Sequence, residues 1–253
     1  VFHKAEYRPA CPVLRPDRPW EMEGGKPTAM VFSDGVWYDP KERLFKMWYM
    51  GGFNTATCYA TSHNGIVWEK PSLDVKVGTN IVSPARRDST IVWQDLEESD
   101  PKRKYKIFAV AERYSTYCRM HLHYSPDGIH WGEPVATSGQ CGDRSTVFWN
   151  PFRKVWVYGI RNDSRYGRDR LYREASNPIT GAAWKTGELS WWVGADRLDM
   201  PREDMRVQPQ LYNLDAVAYE SVMLGLFSIW HGQTDARPKP NTVKLGFSRD
   251  GYH

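Results

Sequence analysis

Cysteine is scarce in this 253-residue chain, and the few present give no sign of a metal site. Cys11, Cys58, Cys118 and Cys141 stand far apart, with no Cys-x-x-Cys pair and no metal-ligand spacing. Buried thiols and one or two disulfides both fit that spacing, so the redox compartment cannot be read from it. No apolar run approaches the length of a membrane-spanning helix. There is no basic block either. The 34 Lys and Arg are interspersed with 30 Asp and Glu for a net charge of +4, which argues against a nucleic-acid partner. No segment carries the period of a long amphipathic helix. His121 and His123 fall on one strand face by alternation, but no third ligand accompanies them, so neither metal nor cofactor is expected.

What the chain does have is aromatics, 12 Trp and 14 Tyr, and a repeated phrase. YSPDGIHW (Tyr124 to Trp131) is nearly repeated as TSHNGIVW (Thr61 to Trp68), and it begins again as FSRDGYH from Phe247. Strand-forming residues precede each copy, and a Ser and an Asn-Gly or Asp-Gly turn signal follow. Trp68 and Trp131 then read as buried aromatics that pin the turn to a sheet. The Ser positions, 62, 125 and 248, are spaced by about 60 residues and about twice that, so a degenerate copy is expected near 186. REASNPITGAAW, with Ser176, Gly181 and Trp184, fits it. Upstream of the copies an Asp opens an aromatic-rich strand–turn–strand segment at Asp34, Asp88 and Asp143. The fourth such segment is PQLYNLDAVAYESVMLGLFSIWHG, from Pro209 to Gly232. Units of about 60 residues with three or four strands each are the signature of β-propeller blades.

On this reading residues 1–30 are an extended lead-in, and the blades run 34–74, 88–134, 143–184 and 208–253. Residues 185–207 are a long connection with a helical turn. All of 1–253 is one all-β propeller domain. Both ends look cut, and ring closure without an open edge calls for a fifth blade.

In a propeller the innermost strands begin near the axis, so Asp34, Asp88 and Asp143 are expected to converge on one pocket. Mutually repelling carboxylates there point to pKa tuning. Asp39, in Tyr38-Asp39-Pro40, reads as a turn residue. Glu220 reads as a charge inside an apolar strand, which needs a partner such as Arg144 or Arg161, or a task. A Glu held protonated can donate to a leaving group, and glycoside hydrolysis needs such a donor together with a second carboxylate.

SDGVWYDP with FKMWYMGG, the RDS and GDRS segments, AYES and the Ser-x-(Asp/Asn)-Gly turns together resemble the five-bladed propeller glycosidases, glycoside hydrolase families 32 and 43. The resemblance implies a glycosidase acting on a terminal sugar, with furanosides favoured, and a secreted or periplasmic location. It implies that Asp34 is the nucleophile or base, although Ser33-Asp34-Gly35 lacks the Asn-Asp-Pro-Asn-Gly context. Glu220 becomes the acid, matched only as Glu220-Ser221. Asp143 is the preferred third carboxylate and Asp88, in Arg87-Asp88-Ser89, the next. Arg144, Arg87 and His231 are expected on substrate, and Trp37 and Trp230 as a stacking platform. Two other functions fit. A related phosphorylase would hold phosphate with Arg161, Arg165, Arg168 and Arg170, and a non-catalytic propeller would only bind carbohydrate. The turns are similar to the Asp-box of sialidases and are scaffold on either reading.

Overall fold

A computed structural model of the chain describes residues 6, 9, 11–114, 117–185, 187–205, 207–233 and 239–253. The described residues form four antiparallel sheets; consecutive strands pair within three of them, and in the first the two opening strands both pair with the third. Contacts group the chain into two compact units. One comprises Val1–Arg87, Gln94–Tyr105 and Ser125–Trp131, and the other Asp88–Trp93, Lys106–Tyr124 and Gly132–His253.

The first unit holds β1 (Ala29–Met30), β2 (Val36–Asp39), β3 (Leu44–Gly51), β4 (Ala56–Ser62) and β5 (Ile81–Ser83), with β1, β2 and β4 all paired to β3. Because β3 is central, its residues from Lys46 onward are buried on both faces, so it reads as a continuous run rather than an alternation. Met47, Tyr49, Cys58 and Ile81 build the core, and Trp20 from the lead-in packs on it. On the opposite face Trp48 packs against Tyr59 and Tyr105 and donates its indole N–H to the Gly128 carbonyl at 2.7 Å.

Two polar networks sit inside this unit. Asp39 accepts from the Lys41 and Glu42 backbone N–H groups and from Lys46, Gln94 and Lys104, confirming its reading as a turn residue. Burial raises its carboxyl, but the Glu42 backbone N–H and the two lysines outweigh that and hold it well below the usual carboxylate range. The second network was not legible in the sequence. Glu21, in a 3-10 turn over Pro19–Met22, is fully buried, pairs with Lys70 at 2.7 Å and accepts from the Tyr49 hydroxyl at 2.7 Å. The lead-in is therefore tied to the sheet by a buried ion pair rather than draped over it.

The second sheet runs β6 (Thr90–Gln94), β7 (Tyr105–Tyr114), β8 (Tyr117–Ser125), β9 (Ala136–Thr137). The third runs β10 (Thr146–Asn150), β11 (Val155–Ser164), β12 (Gly167–Ala175), β13 (Ser190–Gly194). In the second unit Ile91, Phe108, Met120, Leu122, Trp156, Tyr158 and Trp184 make one core between these sheets. β13 corrects the expected connection over 185–207. Ser-Trp-Trp-Val-Gly pairs with β12 as an outer strand, and Trp192 packs on Phe148 and Tyr172. The fourth sheet is β14 (Gln210–Tyr219), β15 (Val222–Trp230) and β16 (Asn241–Ser248). One of its faces carries Val217, Leu226, Val243, Leu245 and Phe247, all exposed, Phe247 by 78%.

The repeated phrase folds the same way each time. Ser62, Ser125 and Ser248 hydroxyls accept from the N–H of Gly65, Gly128 and Gly251 at 2.8–2.9 Å. The Asn64, Asp127 and Asp250 side chains accept from the next two amides of each turn. The Gly φ values are +70°, +79° and +75°, and a Cβ at Gly128 would meet Trp48 at 2.5 Å, so glycine is required there. Trp68 and Trp131 are half-buried, not buried as expected. In the degenerate copy Asn177 takes the place expected of Ser176. It caps a short helix, α1 (Pro178–Ala182), by accepting from the Ile179 N–H, and Trp184 is buried.

The turn at Asp127 is pH-sensitive. His130 bridges Asp127 at 2.7 Å and Asp74 at 2.9 Å, and these hydrogen bonds raise its imidazole above 6.5. Burial raises Asp127, but His130 and the turn amides outweigh it and bring it down to about 2. The His130 contribution is complete below pH 6.5 and is lost as pH rises through the raised folded value. The Asp127 contribution is complete above pH 3.8 and is lost as pH falls through about 2. Exchange protection of the Ile129 and His130 amides, corrected for intrinsic rates, is therefore expected to peak between about pH 4 and 6.5. A flat profile would refute the coupling.

No disulfide joins the four cysteines. Cys58, Cys118 and Cys141 are buried, and burial chiefly pushes the Cys58 and Cys141 thiols up to about 12. Cys11 is exposed, against the buried-thiol reading. A thiol reagent is expected to titrate one cysteine in the native protein and all four in denaturant. Two or more fast native thiols would contradict this burial.

Candidate active site

In the first unit Asp34 lies at the bend before β2, fully buried. Arg87 grips both its carboxylate oxygens, Nη2 reaching Oδ2 at 3.0 Å. Arg87 is itself buried and reaches Thr57 Oγ1 at 3.4 Å. Asp34 and Arg87 are thus brought together, but neither presents its charged end to solvent. Trp37 is half-buried on β2, paired in register with Lys46.

In the second unit Asp88 and Asp143 precede β6 and β10, the first strands of their sheets, as the repeat required. The two strand starts are adjacent, with the Ser89 hydroxyl 3.5 Å from the Ser145 carbonyl. Each carboxylate faces a guanidinium rather than another acid. Arg144 lies 3.4 Å from Asp88, and Arg161 lies 2.8 Å from Asp143 while also binding Asp163. The expected repulsion between carboxylates is therefore replaced by alternation of Asp and Arg, the lower-energy way to crowd charges. Unlike Asp34, these acids keep access to solvent. Their side chains are 15% and 22% exposed.

Arg170 holds this end of the unit together and was not singled out for that by sequence. It is fully buried and donates to the carbonyls of Arg144, Gly159 and Tyr212, the last at 2.7 Å. Burial pushes its guanidinium down to about 10. It thereby pins Arg144, whose φ of +60° is left-handed, to the first strand of the fourth sheet. Alternation in Arg-Asp-Arg-Leu-Tyr-Arg puts Arg168 and Arg170 on one face, a signal that exists in the sequence, but nothing there names the carbonyls they meet.

Glu220 must be corrected. It does not lie inside a strand. Tyr219 pairs with Val222, so Glu220 and Ser221 are the two turn residues between β14 and β15, and Glu220 is exposed with φ +50°. The turn carries no Gly, Asn or Pro, so the sequence reads as one uninterrupted strand. The supposed partners Arg144 and Arg161 pair with Asp88 and with Asp143 and Asp163 instead.

At the far end of the same hairpin, Trp230 lines a cleft of about 540 Å³ with Tyr166, Arg165, Arg197, Gln208 and Gln210. The neighbouring His231 is buried, and its Nε2 lies 2.8 Å from the Thr242 hydroxyl. The four arginines expected to share a phosphate disperse. Arg161 is paired, Arg165 stacks on the exposed Tyr166, Arg170 binds carbonyls, and Arg168 lies over the Tyr212 ring at 4.7 Å. Among the described residues no group of three metal-binding side chains occurs, and no helix is long and apolar enough to cross a membrane.

No family model matches this chain, and no curated protein matches it. Solved structures match its fold. A thermostable family-43 glycoside hydrolase aligns with TM-score 0.57 at 11% identity over 86% of this chain and 68% of its own. An endo-1,4-beta-xylanase from Bacteroides thetaiotaomicron aligns with TM-score 0.53 at 11% identity over 85% of this chain and 74% of its own. A GH32 beta-fructofuranosidase of Bombyx mori aligns with TM-score 0.56 at 13% identity over 86% of this chain, which spans only 48% of that enzyme. At these identities the likeness establishes the fold, an all-β propeller of the kind found in glycoside hydrolases, and leaves the reaction to the residues themselves.

Proposed function

We propose that the protein is a glycoside hydrolase whose chemistry is carried by Asp88 and Asp143. The observation behind this is that these two acids stand at adjacent strand starts, partly exposed, each beside an arginine. Two carboxylates are what glycosidic cleavage needs, one to protonate the leaving oxygen and one to attack or to activate water. Arg144 and Arg161 hold the acids in place and supply donors for sugar hydroxyls, and Trp230 offers an apolar wall to a sugar ring. Asp34, enclosed by Arg87, is a structural residue in this reading, and Glu220 stands outside the chemistry. Carbohydrate is the substrate class, with a terminal furanoside favoured by the resemblance. The test is turnover of aryl furanosides and pyranosides by the protein and its Asp88→Asn, Asp143→Asn and Glu220→Gln variants.

The same reading carries a five-bladed ring. The exposed apolar face around Leu226, Leu245 and Phe247 is what a further blade would cover. With that face covered, Leu245→Asp and Phe247→Asp are each expected to lower the Tm of the protein by several degrees. A Tm unchanged in both variants would remove the fifth blade.

A further inference from the structure

Charge on the second unit is unevenly satisfied. Carboxylates face Arg144 and Arg161, and carbonyls accept from Arg170, although Arg161 and Arg170 each also keep a buried Nε without an acceptor. Arg168, half-buried, differs in having neither a carboxylate nor a carbonyl on its guanidinium among the described residues. Its guanidinium stacks on the Tyr212 ring at 4.7 Å, its Nη1 is buried without a hydrogen-bond acceptor, and no carboxylate among the described residues pairs with it. In register it stands opposite Asp163, but both oxygens of that carboxylate are taken by Arg161. A second cation, Lys239, reaches the same ring at 5.8 Å, again with no carboxylate partner among the described residues. Burial raises the Tyr212 phenol, yet Arg144, Lys239 and Arg168 outweigh it and lower the group, so the field there is net positive. A buried guanidinium donor without an acceptor is costly unless something anionic completes it. Arginine's planar fork suits a two-oxygen anion such as carboxylate or phosphate.

We propose that Arg168, Lys239 and Tyr212 form a subsite for an oxyanion, either a carboxylate on the sugar or a phosphate. The proposal rests on the reading of this unit as carbohydrate-active and refines it, making the substrate an acidic sugar or phosphate a co-substrate. Arg168 provides the bidentate donor and Lys239 a second counter-charge at the exposed rim. Arg170 fixes the Tyr212 backbone from beneath.

Binding rather than turnover tests it, so its failure is separable from failure of the hydrolase reading. Calorimetric titration of the full-length protein would use galacturonate against galactose, glucuronate against glucose, and inorganic phosphate alone. A uronate is expected to bind at least tenfold more tightly than its neutral counterpart, with the difference abolished in Arg168→Gln and partly kept in Arg168→Lys. If phosphate alone binds and loses its affinity in Arg168→Gln, the same subsite serves a free anion. Lys239→Gln, on an exposed side chain, is read beside them in case Arg168→Gln fails to fold, and it is expected to weaken the same anion severalfold. Millimolar or weaker binding of every anion would overturn the proposal. So would anion affinities unchanged in folded Arg168→Gln and Lys239→Gln proteins.

Discussion

Asp143→Asn and Asp88→Asn are each expected to lower kcat by about 10²–10⁴-fold on the best glycoside, the range that a positioned acid or base contributes. Both changes are nearly isosteric, and both side chains are partly exposed, so the fold should tolerate them. The two variants should also differ from one another. The one that has lost the proton donor should retain activity toward aryl glycosides with good leaving groups, because those leave without protonation. The one that has lost the nucleophile or base should lose activity on all of them. Glu220→Gln should stay within about twofold of the parent protein, since an exposed turn carboxylate has no dry pocket in which to hold its proton. Collapse of activity in Glu220→Gln with normal turnover in both Asp variants would reverse these assignments and restore the role that the family resemblance implied for Glu220.

Asp34→Ala is expected to destabilise the protein by about 3–5 kcal/mol, because it leaves the buried Arg87 guanidinium without its counter-ion. For a chain of this size that lowers Tm by roughly 6–20 °C. Arg87→Leu should cost about as much for the converse reason. Asp34→Leu combined with Arg87→Leu should recover most of the loss, since a buried ion pair replaced as a pair by apolar groups is often neutral. Thermal melts of these proteins and of Asp34→Asn, with activity scaled to the folded fraction, separate the two roles open to Asp34. A structural residue gives a low Tm and residual activity that follows the folded population. A nucleophile gives an Asp34→Asn protein whose folded fraction turns over nothing, and that result would return the central role to Asp34.

What the sequence determined by itself was whatever depends on a few neighbouring residues. Ser-x-Asp-Gly closes its turn with its own hydroxyl, carboxylate and glycine, so the three copies were legible and each folded alike. The β alternation, the strand starts at Asp34, Asp88 and Asp143 and the bland role of Asp39 were legible for the same reason. Glu220 was misread because its turn lacks the residues that announce turns, and a Glu at positive φ is tolerated there by the hairpin around it. β13 was missed because a five-residue outer strand carries too short a pattern to stand out from a loop.

Only the tertiary structure decided the pairing of charges. Glu21 with Lys70, Asp34 with Arg87, Asp143 with Arg161 and Arg170 with three carbonyls join residues separated by 11 to 53 positions. Nothing local distinguishes those arginines from the exposed ones. Which guanidinium is satisfied and which is left, as Arg168 is, follows from packing two sheets face to face. Charge on a strand is local information, but its partner is set by the fold that brings distant strands together.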